Sequence, residues 1–195
     1  MSSRFIHLHL HTEFSLADST IRVPEKPDEA RPEKAKRPNL LSRAVEMKLP
    51  ALAVTDRNNL FALIKFYKSA ESVGIKPIAG ADLSIVDGKE SPWQLTLLCR
   101  DHVGYLSLSR LLTRAWMEGH HLDGVAITPQ WLAEDCEGLF AIAGRNSYAG
   151  RLAAGGRHEL AEQHLADLQR SFGENLHLEL TRTQRDGEDA FNAFA

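Results

Sequence analysis

The run Phe5-Ile6-His7-Leu8-His9-Leu10-His11-Thr12 alternates aliphatic and imidazole side chains almost throughout. A neutral imidazole nitrogen donates a lone pair to cations such as Zn²⁺ and Mn²⁺, so histidines spaced by two offer a row of metal ligands. In a β-strand successive side chains point to opposite faces, which puts His7, His9 and His11 on one face and Ile6, Leu8 and Leu10 on the other. The apolar face reads as the buried back of a strand covered by helices, and the histidine face as a polar pocket. The plainer alternative is a histidine-rich strand whose rings only hydrogen-bond their neighbours.

The elements that must position these histidines follow as alternating β and α patterns. Asn39 is placed to cap a helix whose apolar residues Leu40, Leu41, Ala44 and Val45 share a face, ended by Pro50. Ala51-Leu52-Ala53-Val54-Thr55 is a continuous apolar strand of the kind buried on both faces. Leu60, Leu63, Ile64, Tyr67 and Ala70 predict the next helix stripe, with Gly74 as its end. Strands are expected over 76–79, 83–86, 94–99, 139–143 and 176–181. Helices are expected around Leu108 to Ala115 and Ala161 to Phe172. Residues 23–38 hold four prolines and nine charged residues with almost nothing apolar, which reads as a solvated, mobile insertion within one domain. Replacing Pro24 to Pro38 with a short Gly/Ser turn is expected to change stability by less than about 1 kcal/mol.

Such alternation implies an α/β fold, either a barrel or an open doubly wound sheet, and in both the chemistry gathers past the C-terminal ends of the strands. The residues there are His9, His11 and Thr12; Asp56, Arg57 and Asn58; Asp82; and Arg145 and Asn146. Asp18 follows the first histidines closely enough to return to them. For Asp56 and Asn58, which precede a helix, a capping role is an equal alternative.

Composition narrows the function classes. The chain has 195 residues, 43% hydrophobic and 25% charged, with a net charge of -3 and a pI near 6.3. A free-standing DNA binder relies on an excess of Lys and Arg, so a nucleic-acid role must be local or lie elsewhere in a larger protein. Two isolated cysteines, Cys99 and Cys136, make neither a disulfide framework nor a CxxC zinc site, and read as buried reduced thiols. A cytoplasmic location with no membrane attachment is the expectation.

The stretch His9-Leu10-His11-Thr12-Glu13-Phe14-Ser15-Leu16-Ala17-Asp18 resembles the first motif of the polymerase and histidinol phosphatase (PHP) family. Thr55-Asp56 followed by Asn59-Leu60 resembles the second. Phe66-Tyr67-Lys68 through Gly74-Ile75-Lys76-Pro77-Ile78-Ala79-Gly80-Ala81-Asp82 is similar to PHP domains at the N-termini of bacterial DNA polymerase III alpha subunits rather than to free-standing phosphatases. Leu97-Leu98-Cys99-Arg100-Asp101, Gly104-Tyr105 and Leu139-Phe140-Ala141-Ile142-Ala143-Gly144 continue the match in order. The resemblance implies a distorted (βα) barrel, incomplete at its C-terminal side, in a fragment of a longer polymerase chain. Asp186 to Ala195 reads as the opening of a helix whose Phe191 and Phe194 lack their core.

The departures bear on chemistry. The family pattern places a metal-ligating histidine where this chain has Arg57, a glutamate at Asp82, a histidine at Gln94 and a cysteine at Arg145. Arginine has no lone pair to donate and carries a fixed positive charge, so Arg57 and Arg145 oppose the cations such a site needs. Either guanidinium is suited to neutralise Asp18, Asp56 or Asp82 instead. The pocket of His7, His9, His11, Asp18, Asp56, Arg57, Asp82, Gln94 and Arg145 is therefore expected to be vestigial and metal-free, with His9, His11 and Asp18 as the ligands if any metal binds. The resemblance implies DNA-directed DNA synthesis for the full protein, with Mg²⁺ in a palm domain this chain lacks. It also implies contacts with the proofreading exonuclease and other replicase subunits, and with DNA through the rest of the polymerase. The alternative is a Zn²⁺- or Mn²⁺-dependent phosphoesterase or 3′-5′ exonuclease; a free-standing histidinol-phosphatase-like enzyme is a further one.

Overall fold

Asn39 starts helix α1 (Leu40–Glu46) through a reciprocal pair of bonds. Its side chain accepts from the Ser42 N–H, and the Ser42 hydroxyl accepts from the Asn39 N–H, satisfying donors that a helix start leaves unpaired. These features belong to a computed structural model that describes residues 5–16, 18–88, 91–121, 124–185 and 188–195. The chain divides into two compact units, Met1–Ala81 and Asp82–Ala195.

In the first unit α1 leads into strand β1 (Ala51–Arg57), helix α2 (Leu63–Ser72) and the start of strand β2 (Lys76–Ile85). The strands expected over 76–79 and 83–86 are thus one element. Leu41, Leu52, Phe66 and Ala70 form the centre of this unit's core. The buried face of α2 is rotated from the expected stripe: Phe66, Ser69 and Ala70 are buried, whereas Ile64 and Tyr67 are 65% and 47% exposed. Small residues carry little hydropathy signal, yet Ser69 and Ala70 let this face approach its neighbours closely, and Phe66 supplies the bulk.

Residues 23–38 are mostly exposed, but they do join the core, which corrects the expectation that the segment has nothing to bury. A 3₁₀ turn at Pro27–Ala30 places Ala30 at 0% exposure beside the buried Val23. The Glu29 carbonyl accepts from Asn39 Nδ2 at 2.8 Å, and the Pro27 carbonyl accepts from the Ser72 hydroxyl at 3.1 Å. Ala30, one of two alanines among nine charges, is too weak a signal to read as a core residue.

The second unit carries strand β3 (Trp93–Cys99), helix α3 (His102–Glu118), the short strands β4 (His120–His121) and β5 (Gly124–Val125), and helix α4 (Pro129–Glu134). Strand β6 (Leu139–Ala143), helices α5 (Tyr148–Ala154) and α6 (His158–Phe172), strand β7 (Leu176–Leu178) and helix α7 (Glu188–Phe194) follow. In this unit β3, β6 and β7 are neighbours, in that order, in one open sheet. Within it β3 and β6 are antiparallel, with Thr96 opposite Ile142, and β6 and β7 are parallel. This is the mixed α/β sheet of an incomplete, distorted barrel. α3 starts so close to β6 that a Cβ on Gly104 would lie 1.9 Å from the Gly138 carbonyl oxygen, which admits only glycine there. Phe191 is fully buried among Ala149, Leu152, Ala153 and Ala161, so it has the core it was expected to lack. Asp186 and Gly187 lie outside the described residues. Both cysteines are free and half-buried, and burial, helped by the nearby Asp101, pushes the Cys99 thiol up to about 12, which leaves it protonated and inert.

Candidate functional site

The histidine segment runs parallel beside β1 but is not a regular strand. Ala53 N–H donates to the His7 carbonyl at 2.9 Å and Thr55 N–H to the Leu10 carbonyl at 2.8 Å. Two residues of β1 therefore face three of the segment, which is one more than a regular parallel ladder allows. The Thr55 hydroxyl accepts from Leu10 N–H at 2.9 Å and donates to the Leu10 carbonyl at 3.2 Å. One extra residue reverses the alternation beyond it. His7 accordingly lines an apolar groove together with Leu10 and Leu52, while the His9 and His11 rings meet edge to face at 5.4 Å. The expectation that all three histidines share one face is corrected, and so is the buried back face, since Leu8 is 41% exposed.

Asp56, near the end of β1, organises the loop after these histidines. Its carboxylate is 1% exposed and accepts from Thr12 N–H at 2.7 Å, from the Thr12 hydroxyl at 2.7 Å and from the Ser15 hydroxyl at 2.5 Å. The Ser15 oxygen in turn accepts from Arg57 N–H at 3.0 Å. Asp56 thus caps no helix. Asn59 completes the arrangement, donating to the Phe14 carbonyl at 3.2 Å and the Arg57 carbonyl at 2.8 Å, and accepting from Phe61 N–H. Asn58 takes the left-handed conformation (φ 50°) that lets the chain leave β1, a conformation asparagine tolerates better than most residues.

Asp18 returns to the histidines. Its Oδ2 lies 3.6 Å from His11 Nδ1 and 2.9 Å from Arg57 Nε. The guanidinium thus rests on the carboxylate that sequence reasoning offered as a metal ligand. On β2, Asp82 supplies another carboxylate, 2% exposed. Within the first unit the His9 and His11 rings that meet offer imidazole nitrogens of the kind that suit Zn²⁺ or Mn²⁺, while Asp18 is turned to Arg57.

In the second unit, the Thr96 hydroxyl donates to Asp82 Oδ1 at 2.6 Å and fixes that carboxylate's orientation. Gln94 is half-buried on β3, with its N–H donating to the Asn146 carbonyl at 3.1 Å. Arg145 is half-buried after β6. Sequence reasoning passed over Glu179, whose N–H donates to the Ala143 carbonyl at 3.0 Å and whose carboxylate covers Gly144, an added Cβ there falling 2.6 Å from Glu179 Oε2. The signal that could have found it is its position just past the apolar strand 176–178.

The model of the PHP domain family matches residues 7–183. Over all 195 residues the chain is 67% identical to the DNA polymerase III subunit alpha of Xylella fastidiosa (strain Temecula1), covering 100% of this chain and 16% of that protein. It is 34% identical to the same-named subunit of Vibrio cholerae over 98% of this chain and 16% of that protein, and 34% identical to that of Escherichia coli (strain K12) over 96% and 15%. The chain thus spans about one sixth of these relatives. Among solved structures, an amidohydrolase from Chromobacterium violaceum, with bound sulfate and no metal, superposes with a TM-score of 0.54 at 16% identity, over 97% of this chain and 82% of that one. That likeness concerns the fold alone.

Proposed function

The chain belongs to the PHP domain family, and on that premise we propose that it is the N-terminal domain of a DNA polymerase III alpha subunit and acts there as a metal-free scaffold contacting the proofreading exonuclease subunit. The 67% identity to a subunit of that name supports the polymerase assignment. For the full protein this means cytoplasmic DNA-directed DNA synthesis, with Mg²⁺ held by a palm domain outside these residues. The observation that carries the scaffold reading is the Arg57–Asp18 contact at 2.9 Å. A guanidinium beside His11 and Asp18 opposes a divalent cation by a few kcal/mol at an effective dielectric of about 20, and it cannot itself become a ligand. Among the described residues no helix is long and apolar enough to cross a membrane.

One observation favours a second reading, a phosphoesterase or 3′-5′ exonuclease: the His9 and His11 rings meet at 5.4 Å, with Asp18 3.6 Å from His11. A bound Zn²⁺ or Mn²⁺ there would activate water and stabilise a phosphate transition state. His9 and His11 would hold it through ring nitrogens, Asp18 through a carboxylate oxygen.

The deciding experiment is metal content by mass spectrometry on the complete alpha subunit, beside an Arg57→His, Gln94→His, Arg145→Cys variant, with the exonuclease subunit titrated against both. The scaffold reading expects metal only in the triple variant and exonuclease binding by both. Stoichiometric Zn²⁺ or Mn²⁺ in the unaltered protein, with phosphate-ester hydrolysis lost on His9→Ala, establishes the second reading instead.

A further inference from the structure

The groove that receives His7 has a volume of about 610 Å³ and lies wholly within the first unit. Its floor is aliphatic: Leu10, Leu40, Ala44, Leu49 and Leu52. Three arginines, Arg22, Arg37 and Arg43, line it, and no carboxylate does among the described residues. In a chain of net charge -3, three guanidinium groups around one groove are a local reversal of sign. Arg22 and Arg43 have partners, Glu13 at 3.8 Å and Glu46 at 2.6 Å, but both arginine side chains are about two-thirds exposed, so these pairs hold them weakly and leave them open to exchange. Ile21 and Met47 add apolar surface at 42% and 53% exposure.

We propose that this groove docks an acidic, leucine- or phenylalanine-bearing peptide segment of a partner protein. The inference rests on the scaffold reading above and gives it a surface. Aliphatic walls desolvate an apolar side chain, and flanking carboxylates meet the arginines, so anchor and charge are recognised by different parts of one site. The volume lies within the ordinary range of ligand sites, about 300–1,000 Å³. Single-stranded DNA fits less well. Its bases need aromatic platforms to stack on, and among the described residues no Phe, Tyr or Trp lines the groove.

The test uses the intact alpha subunit and fluorescence anisotropy with three labelled probes: the peptide Glu-Asp-Leu-Phe-Glu-Leu-Asp-Glu, the same peptide with every acidic residue replaced by Lys, and an oligo-dT of equal length. The expected result is binding of the acidic peptide alone, weakened on the order of tenfold by Arg37→Glu with Arg43→Glu and by Met47→Glu. All three substitutions fall on solvent-exposed residues, so circular dichroism should be unchanged. Failure of the acidic peptide to bind, equal binding by the variants, or displacement by oligo-dT overturns the proposal. Titrating the exonuclease subunit separates this from the scaffold reading. Binding that the variants leave untouched refutes the groove and keeps the scaffold; no binding to the unaltered subunit refutes the scaffold, while the peptide series still judges the groove.

Discussion

Asp56 and Asp82 look alike in the sequence, each a carboxylate in or just after an apolar strand, and both are buried, at 1% and 2% exposure. The donors around them differ. Asp56 accepts from the Thr12 N–H and from the Thr12 and Ser15 hydroxyls of the loop folded over it, whereas Asp82 accepts from the Thr96 hydroxyl on β3. A carboxylate held by the hydroxyl and amide donors of a loop is a structural hub. One oriented by the hydroxyl of another strand is a candidate ligand. The difference shows that a strand-end position identifies candidates, while the loop folded over that position assigns the role.

The largest effect should come from Asp56→Ala. It leaves two hydroxyls and a backbone N–H without their acceptor in a buried setting, at a cost of about 3–5 kcal/mol. Asp56→Asn, which keeps one oxygen, should cost about 1–2 kcal/mol. Urea denaturation of the chain measures both. An Asp56→Ala protein as stable as the unaltered one would remove the basis of the comparison.

A smaller loss is expected when residues 24–38 are replaced by a Gly/Ser turn. That swap removes buried Ala30 and the Glu29 and Pro27 carbonyl partners of Asn39 and Ser72, so about 2–3 kcal/mol replaces the loss of under about 1 kcal/mol that composition alone implied. The segment illustrates what could be read from the chain. The α1 cap at Asn39, the β1 run, the α3 face of Leu108, Leu111, Leu112 and Ala115, and the strand 139–143 all rest on local periodicity and appear as expected. The α2 face, the burial of Ala30 and the bulge between His7 and Leu10 depend on partners distant in sequence, and a local pattern does not encode them. The site divides in the same way. Strand ends nominated Asp56, Asp82 and Arg57, but only the Thr55 and Asp56 hydrogen bonds across 41 or more residues decide that His7 leaves the histidine face and that Asp56 is satisfied.

Asp82→Ala should cost about 1–2 kcal/mol, through loss of the Thr96 hydrogen bond. Isothermal titration with Mn²⁺ sharpens the contrast: removing Asp82 should lower any metal affinity of the chain, and Asp56→Asn should leave it. Equal stability losses for Asp82→Ala and Asp56→Ala would break the comparison.

Glu188 extends the structural class. It is 3% exposed and accepts from the Thr183 hydroxyl and from the Thr183 and Gln184 N–H groups. The Thr183 hydroxyl leads the hydrogen bonds that hold its carboxyl down at about 2, against burial, which raises it. A depressed carboxylate contributes stability above its unfolded value of about 4.5, and that contribution fades as pH falls from there towards about 2. Glu188→Gln should therefore flatten the stability profile between those pH values and leave the slope above them unchanged, as chemical denaturation across pH would show. An unaltered slope below pH 4.5 would remove Glu188 from the class.

Arg57 should give the smallest stability effect and the most direct view of the site. Its contact with Asp18 joins side chains that are 44% and 33% exposed, so solvent screens the pair and Arg57→Ala should change stability by less than about 1 kcal/mol. The consequence for metal is larger. Arg57→Ala removes a fixed positive charge and returns Asp18, 3.6 Å from His11, to the ligands available, while Arg57→His adds an imidazole as well. Mn²⁺ titration should therefore rank histidine above alanine above the native arginine, with thermal stability nearly level in the absence of metal. If arginine and alanine bind Mn²⁺ equally, the guanidinium does not oppose the cation, and the contrast between a structural Asp56 and a candidate-ligand Asp82 must rest on the surroundings of the two carboxylates themselves.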